Sequence, residues 1–165
     1  MLLVGRHRAA EYFLGRTAAD TAPLDESLRE RYTVERLLGR GDMGAVYLAR
    51  DRQLDRPVAI KVLSEEVAQD RLLRERFARE TRVAASFSHP NIVPVYGVEE
   101  GDGWLACFMG YIEGESVAKR VARDGPLASR ELLRLLLDVT HALAYAHGRG
   151  VVHRDLKPDH VLWVL

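Results

Sequence analysis

The run His153-Arg154-Asp155-Leu156-Lys157-Pro158 places a carboxylate and an ammonium two residues apart on a short loop whose turn Pro158 fixes. Asp155 could accept or orient the proton of an attacking hydroxyl, and Lys157 could neutralise charge growing on a transferred phosphoryl group. An Asp and a Lys on a solvated loop are more often surface decoration than chemistry. Six such residues in a row, preceded by a long apolar helix and Val151-Val152, leave little room for that reading. His153 reads as a structural loop histidine. His7, His89, His141 and His147 form no ligand-spaced set, which argues against zinc.

Two further groups could serve the same chemistry. Gly39-Arg40-Gly41-Asp42-Met43-Gly44 is a weak signal alone, because Gly-x-Gly-x-x-Gly also occurs in dinucleotide folds and in plain hairpins. In the dinucleotide case the last glycine opens a helix, whereas Ala45-Val46-Tyr47-Leu48-Ala49 reads as strand, so strand-turn-strand is expected. Glycines there permit positive φ and let backbone amides approach a polyphosphate. In Val58-Ala59-Ile60-Lys61 the alternation sends Ala59 and Lys61 to one face, small Ala59 under a flat base and Lys61 toward phosphate oxygens. A helix follows in which Glu80 lies within an apolar stripe. A Lys61–Glu80 ion pair would satisfy both groups, since an isolated buried charge is costly.

Positioning these groups requires strands, then helices. Short runs rich in Val, Leu, Ile and Tyr predict five strands at Tyr32–Leu38, Ala45–Arg50, Pro57–Leu63, Ile92–Val98 and Trp104–Met109, antiparallel because several connections are short. Leu73, Phe77 and Ala84 predict a helix over Val67–Ala85 with Glu80 on its apolar face. Beyond residue 115 come a short helix at Ser116–Arg123, a break at Asp124-Gly125-Pro126 and a long helix at Ser129–His147. The long helix is apolar nearly all round, which normally means burial on all sides. Residues 1–30 read as a largely flexible tail, with Tyr12, Phe13 and Leu14 the only apolar cluster, Pro23 interrupting and one helical turn at Ser27 to Arg31.

Composition closes off other classes. The 24 basic and 24 acidic residues balance, so no global field recruits nucleic acid or an anionic membrane. Met1-Leu2-Leu3-Val4 is too short for a signal peptide, and no stretch reaches the roughly 18 apolar residues of a membrane span. A lone Cys107 in an apolar run reads as a buried core thiol in a reducing cytoplasm, while a membrane anchor in some longer parent stays open.

Residues 32–165 resemble the first half of a bacterial Ser/Thr protein kinase catalytic domain. The resemblance rests on Leu38-Gly39-Arg40-Gly41-Asp42-Met43-Gly44-Ala45-Val46-Tyr47, Val58-Ala59-Ile60-Lys61, His89-Pro90-Asn91-Ile92-Val93, Phe108-Met109-Gly110-Tyr111-Ile112-Glu113-Gly114 and the His153–Pro158 run. It implies an α+β fold: a tail (1–30), an N-lobe and hinge with a five-stranded antiparallel sheet and one regulatory helix (31–112), and an incomplete, mainly helical C-lobe (113–165). It implies ATP held by Leu38 to Val46, Ala59, Lys61, its partner Glu80, the gatekeeper Met109, and the Gly110–Ile112 backbone with Tyr111. Asp155 and Lys157 would be catalytic, and protein Ser or Thr hydroxyls the acceptors.

The chain departs from the family at four points, the last two mattering most. Asp42 stands where relatives often have Gly, and Gly110 where Glu is commoner. His160 stands where the family carries an Asn that binds Mg2+, an ion that prefers oxygen in a tight octahedron. No Asp-Phe-Gly follows within the 165 residues, whereas a complete two-lobed fold needs roughly 250. Little transfer activity is therefore expected from these residues alone. The long helix, uncovered by later ones, should also expose leucines and invite aggregation or a partner. A kinase fragment is the leading reading, and a pseudokinase-like nucleotide- or protein-binding module the alternative.

Overall fold

The computed structural model describes residues 3–6, 26–41, 44–101 and 103–164. Expectations on His7, Tyr12, Phe13, Leu14, Pro23, Asp42 and Met43 lie outside the described residues. In chain order the elements begin with β1 (Leu3–Arg6), α1 (Glu26–Arg31), β2 (Tyr32–Gly41), β3 (Gly44–Asp51), β4 (Arg56–Leu63), α2 (Glu65–Gln69) and α3 (Arg71–Ala85). They continue with β5 (Val95–Gly101), β6 (Trp104–Gly110), β7 (Gly114–Ser116), α4 (Val117–Asp124), α5 (Ser129–His147), a 3-10 turn (Pro158–His160) and β8 (Val161–Val164). They form two compact units, one from described residues within 26–86 and 95–111, the other from 3–6, 87–94 and 112–164.

The first unit carries the expected five-stranded antiparallel sheet, in the order β2-β3-β4-β6-β5. Cross-strand partners share a face. On one face Tyr47, Ala49, Val58, Ile60, Val62, Ala106 and Phe108 form a core with Tyr32 and Trp104. Tyr32 stacks on Phe108 at 4.8 Å between ring centroids. Leu28 joins that core at 3% exposure, which corrects the expectation of a tail through residue 30. Helix α1 runs directly into β2 and so lays Leu28 on the sheet, where burial of such a side chain stabilises by about 2 kcal/mol. The β3–β4 turn is held by buried Asp51, whose Oδ1 accepts the Gln53 and Leu54 amides at 3.0 and 3.2 Å.

Two boundaries differ from the sequence reading, each for a local reason. The fourth strand starts at Val95 rather than Ile92, because Pro94 has no N–H for the ladder and Ile92 is buried in the other unit's core. The single predicted helix is split into α2 and α3 by Asp70. Its Oδ1 accepts the amides of Leu72 and Leu73 at 2.9 and 3.0 Å, an N-cap that starts a new helix.

Cys107, on β6, is buried against Thr81 of α3. Burial pushes its thiol up to about 11, against a hydrogen bond with Thr81 and the charge of Lys61 that pull it down. Because the thiolate is the reactive form, a disulfide reagent at about pH 8 is expected to label nothing in the folded chain and one thiol in denaturant. Stoichiometric labelling before unfolding would contradict this burial.

The second unit is organised by α5. Leu135, Ala142 and Ala146, with Val139 and Tyr145, pack on Phe87, Ile92, Val117, Val161 and Trp163. Beside them lies a small sheet in the order β1-β8-β7, with β1 parallel and β7 antiparallel to β8. None of these three strands was predicted, since three or four residues carry no readable period, and β1 falls in the expected tail. Gly150, at φ 74°, turns the chain out of the helix, and Val151 N–H returns to the Ala146 carbonyl at 3.0 Å.

Burial of α5 on all sides is not found. The stripe at 135, 139, 142 and 146 is covered and Leu143 and Tyr145 are half-buried, while Leu132, Leu133, Leu136 and Leu137 are 44%, 61%, 52% and 52% exposed, as the expectation of exposed leucines has it. Such a contiguous apolar face promotes self-association. Sedimentation of the wild-type chain is expected to show species larger than monomer, and Leu133→Glu with Leu137→Glu to shift it toward monomer. A clean wild-type monomer would refute this. Among the described residues no helix is long and apolar enough to cross a membrane.

Candidate functional site

The glycine hairpin is the β2–β3 turn, with Gly39 opposite Val46, Arg40 opposite Ala45 and Gly41 opposite Gly44. Gly44 has φ 132°, and a Cβ there would run into the Val62 carbonyl, so only glycine fits. At Gly39 and Gly41 a Cβ would meet nothing within 4 Å, which leaves the backbone open to a ligand. Leu38 is half-buried at a register shift between Leu37 and Gly39.

Register then sorts the other candidates. Val46 lies opposite Lys61 and Lys61 opposite Cys107, while Leu48 lies opposite Ala59 and Ala59 opposite Met109. Val46, Ala59, Lys61 and Met109 therefore share one face, the one away from the Tyr47–Ile60–Phe108 core. Ala59 and Met109 are buried and Lys61 is half-buried. Tyr111 is half-buried, and its hydroxyl accepts from the Arg36 guanidinium at 3.4 Å. Ile112 is half-buried in the second unit.

Glu80 is not placed as expected. Phe77, Thr81 and Ala84 carry the covered face of α3, and the Glu80 side chain is 60% exposed. Its Oε1 takes the Arg76 Nε at 2.9 Å, one helical turn back, instead of Lys61. The Lys61 ammonium lies 6.0 Å from the centroid of the Phe77 ring. A carboxylate on the helix flank finds a cheaper partner at i−4 in water than a half-buried amine would be. Arg76 was missed in the sequence, although its four-residue spacing from Glu80 was a usable signal.

In the second unit Asp155 and Lys157 meet directly, Nζ to Oδ2 at 3.2 Å. The Asp155 carboxyl is held below the ordinary carboxylate range, chiefly by the hydrogen bond from Lys157 and against some desolvation. Arg154 takes φ 63°, an uncommon conformation for a side-chain-bearing residue, which turns the Asp155 N–H back to His153 Nδ1 at 3.3 Å. Pro158 opens the 3-10 turn that carries His160, whose Nδ1 reaches the Asp155 carbonyl at 2.7 Å. Buried Val161 and Trp163 then anchor the loop in the small sheet. Among the described residues no group of three or more His, Cys, Asp or Glu is arranged to hold a metal ion.

The protein kinase domain family matches residues 32–164. The chain is 42% identical over 132 residues to the serine/threonine-protein kinase PrkC of Bacillus subtilis, covering 80% of this chain and 20% of that protein. It is 44% identical over 133 residues to PknJ of Mycobacterium tuberculosis, covering 79% and 22%. Among solved structures, the PknI kinase domain of M. tuberculosis superposes with a TM-score of 0.71 at 42% identity, covering 80% of this chain and 54% of that one. The chain thus spans about a fifth of the length of these curated relatives.

Proposed function

Because the chain belongs to the protein kinase domain family, we propose that it binds ATP and serves transfer of the γ-phosphoryl group to Ser or Thr hydroxyls of proteins. The observation that carries this reading is the register that puts Val46, Ala59, Lys61 and Met109 on one sheet face beside a hairpin that only glycine can close. Residues 31–86 and 95–111 act as nucleotide lobe and hinge, and the unit to which 87–94 and 112–164 belong contributes the catalytic loop. The adenine lies against Ala59 and Met109 with the backbone of Gly110 and Tyr111. Backbone amides of Gly39, Arg40, Gly41 and Gly44 approach the phosphates, with Leu38 and Val46 as apolar walls; Ala45, opposite Val62, is corrected to the core on the other face of the sheet. Lys61 neutralises phosphate charge.

On the acceptor side Asp155, kept ionised by Lys157, orients the hydroxyl and takes its proton. Lys157 offsets charge on the phosphoryl oxygens. The family also implies Mg2+. His160 does not suit that ion, since the position offers an imidazole with Nδ1 already engaged and no oxygen. A lone, buried Cys107 suits a cytoplasmic setting.

The misfit at His160 favours a second reading, a nucleotide-binding module without transfer. Titration with ATP, followed by transfer of labelled γ-phosphate to a mixture of Ser- and Thr-containing proteins, separates the two. Saturable binding with label on Ser or Thr supports the first, and binding without label supports the second. No saturable binding removes both.

A further inference from the structure

The peptide backbone of Asp155 is gripped by an imidazole on each side. Its N–H donates to His153 Nδ1 at 3.3 Å, and its carbonyl oxygen faces His160 Nδ1 at 2.7 Å. An amide N–H only donates and a carbonyl only accepts, so the neutral rings must be opposite tautomers. His153 presents a lone pair at Nδ1, whereas His160 carries its proton there. Turning the His160 ring over would press a ring carbon on the carbonyl, a contact much closer than carbon and oxygen tolerate. The two rings lie 5.8 Å apart between centroids, with Arg154 at φ 63° between His153 and Asp155.

Connectivity adds a second consequence. An asparagine Cγ bears one nitrogen and one oxygen, so its amide can donate to a carbonyl and still offer oxygen to a cation. A histidine Cγ bears Nδ1 and a carbon. Once Nδ1–H is committed to the Asp155 carbonyl, carbon stands where the amide would have placed oxygen, and a hard ion finds no ligand there.

We propose that His160 is a positioning residue that fixes the Asp155 loop through Nδ1–H, and that in doing so it gives up the magnesium-ligand role of its position. The inference rests on the reading of Asp155 as the residue that orients the acceptor, but its test does not require activity. In long-range proton–nitrogen spectra of the histidine-labelled chain at about pH 8, His160 should show the Nδ1–H tautomer and His153 the Nε2–H tautomer. Assignments come from His160→Gln and His153→Gln. Titration with MgCl2 should leave the His160 ring signals in place. An Nε2–H tautomer at His160, or ring signals that move saturably with Mg2+, overturns the proposal.

Hydrogen exchange supplies the positioning readout. His160→Ala should speed exchange at residues 155–157 by about five-fold, the loss of one hydrogen bond, and His160→Asn should restore it. Unchanged exchange in the alanine variant also overturns the proposal. His160→Asn should further gain about ten-fold in ATP affinity from Mg2+, against less than about two-fold for the wild type. Absence of saturable ATP binding in both would sink the kinase reading while leaving the tautomers decided by their own spectra.

Discussion

Asp155→Asn is expected to lower whatever phosphoryl transfer the chain supports by at least about 100-fold, while ATP affinity stays within about two-fold. Asparagine keeps the size of the side chain and a hydrogen-bonding oxygen but cannot take a proton from the acceptor hydroxyl. The carboxylate it replaces is well prepared for that task. Lys157 donates to Oδ2 at 3.2 Å and, as the leading cause, holds the carboxyl below its ordinary range. The sign follows directly: Asp155 is ionised at neutral pH and is protonated only as pH falls through its lowered value. The acid limb of the rate profile should therefore lie below the usual carboxylate range of about 4, and Lys157→Ala should move it up toward that range. The same ion pair contributes to stability above the unfolded carboxylate's value and is lost as pH falls through the folded one. Equal transfer by wild type and Asp155→Asn would remove Asp155 from the chemistry.

How much of this could be read from the residues alone depended on the range of the interaction involved. Alternation in Val58-Ala59-Ile60-Lys61 is local, and it correctly set Ala59 and Lys61 on one face of β4, the face that cross-strand partners Val46 and Met109 share. Gly44 was legible as a glycine, but its reason, the Val62 carbonyl in the path of any Cβ, belongs to a strand well along the chain. Glu80 was misread because its side chain lies on the flank of α3, beside rather than on the face that Phe77, Thr81 and Ala84 cover, where Arg76 one turn back takes its carboxylate. Leu28 looked like tail because one turn of helix has no period of its own. Its burial is decided by the sheet it lands on. The three short strands β1, β7 and β8 were invisible for the same reason, each being defined by a neighbour rather than by its own pattern.

Lys61→Met should weaken ATP binding by about ten-fold or more, and the geometry says why the loss falls on Lys61 rather than on Glu80. Lys61 is half-buried beside the Phe77 ring and has no ion pair among the described residues, because Arg76 occupies the Glu80 carboxylate. A cation removed from part of its water without a counter-charge is poorly satisfied, and a phosphate oxygen arriving at the Val46–Lys61 face would satisfy it. Hydrogen bonds to charged groups are worth about 1.5–3 kcal/mol, which is about ten-fold to just over a hundred-fold in affinity. Methionine preserves the length and apolar stem that pack near Phe77, so the fold should survive, as circular dichroism and the protected state of Cys107 would both report. Glu80→Gln, by contrast, should change ATP affinity by less than about two-fold, since its carboxylate is already engaged on the solvent side of α3. A Glu80→Gln loss as large as that of Lys61→Met would mean that nucleotide draws Glu80 off Arg76 and onto Lys61. An unchanged affinity in Lys61→Met would mean that the phosphates do not bind at this face.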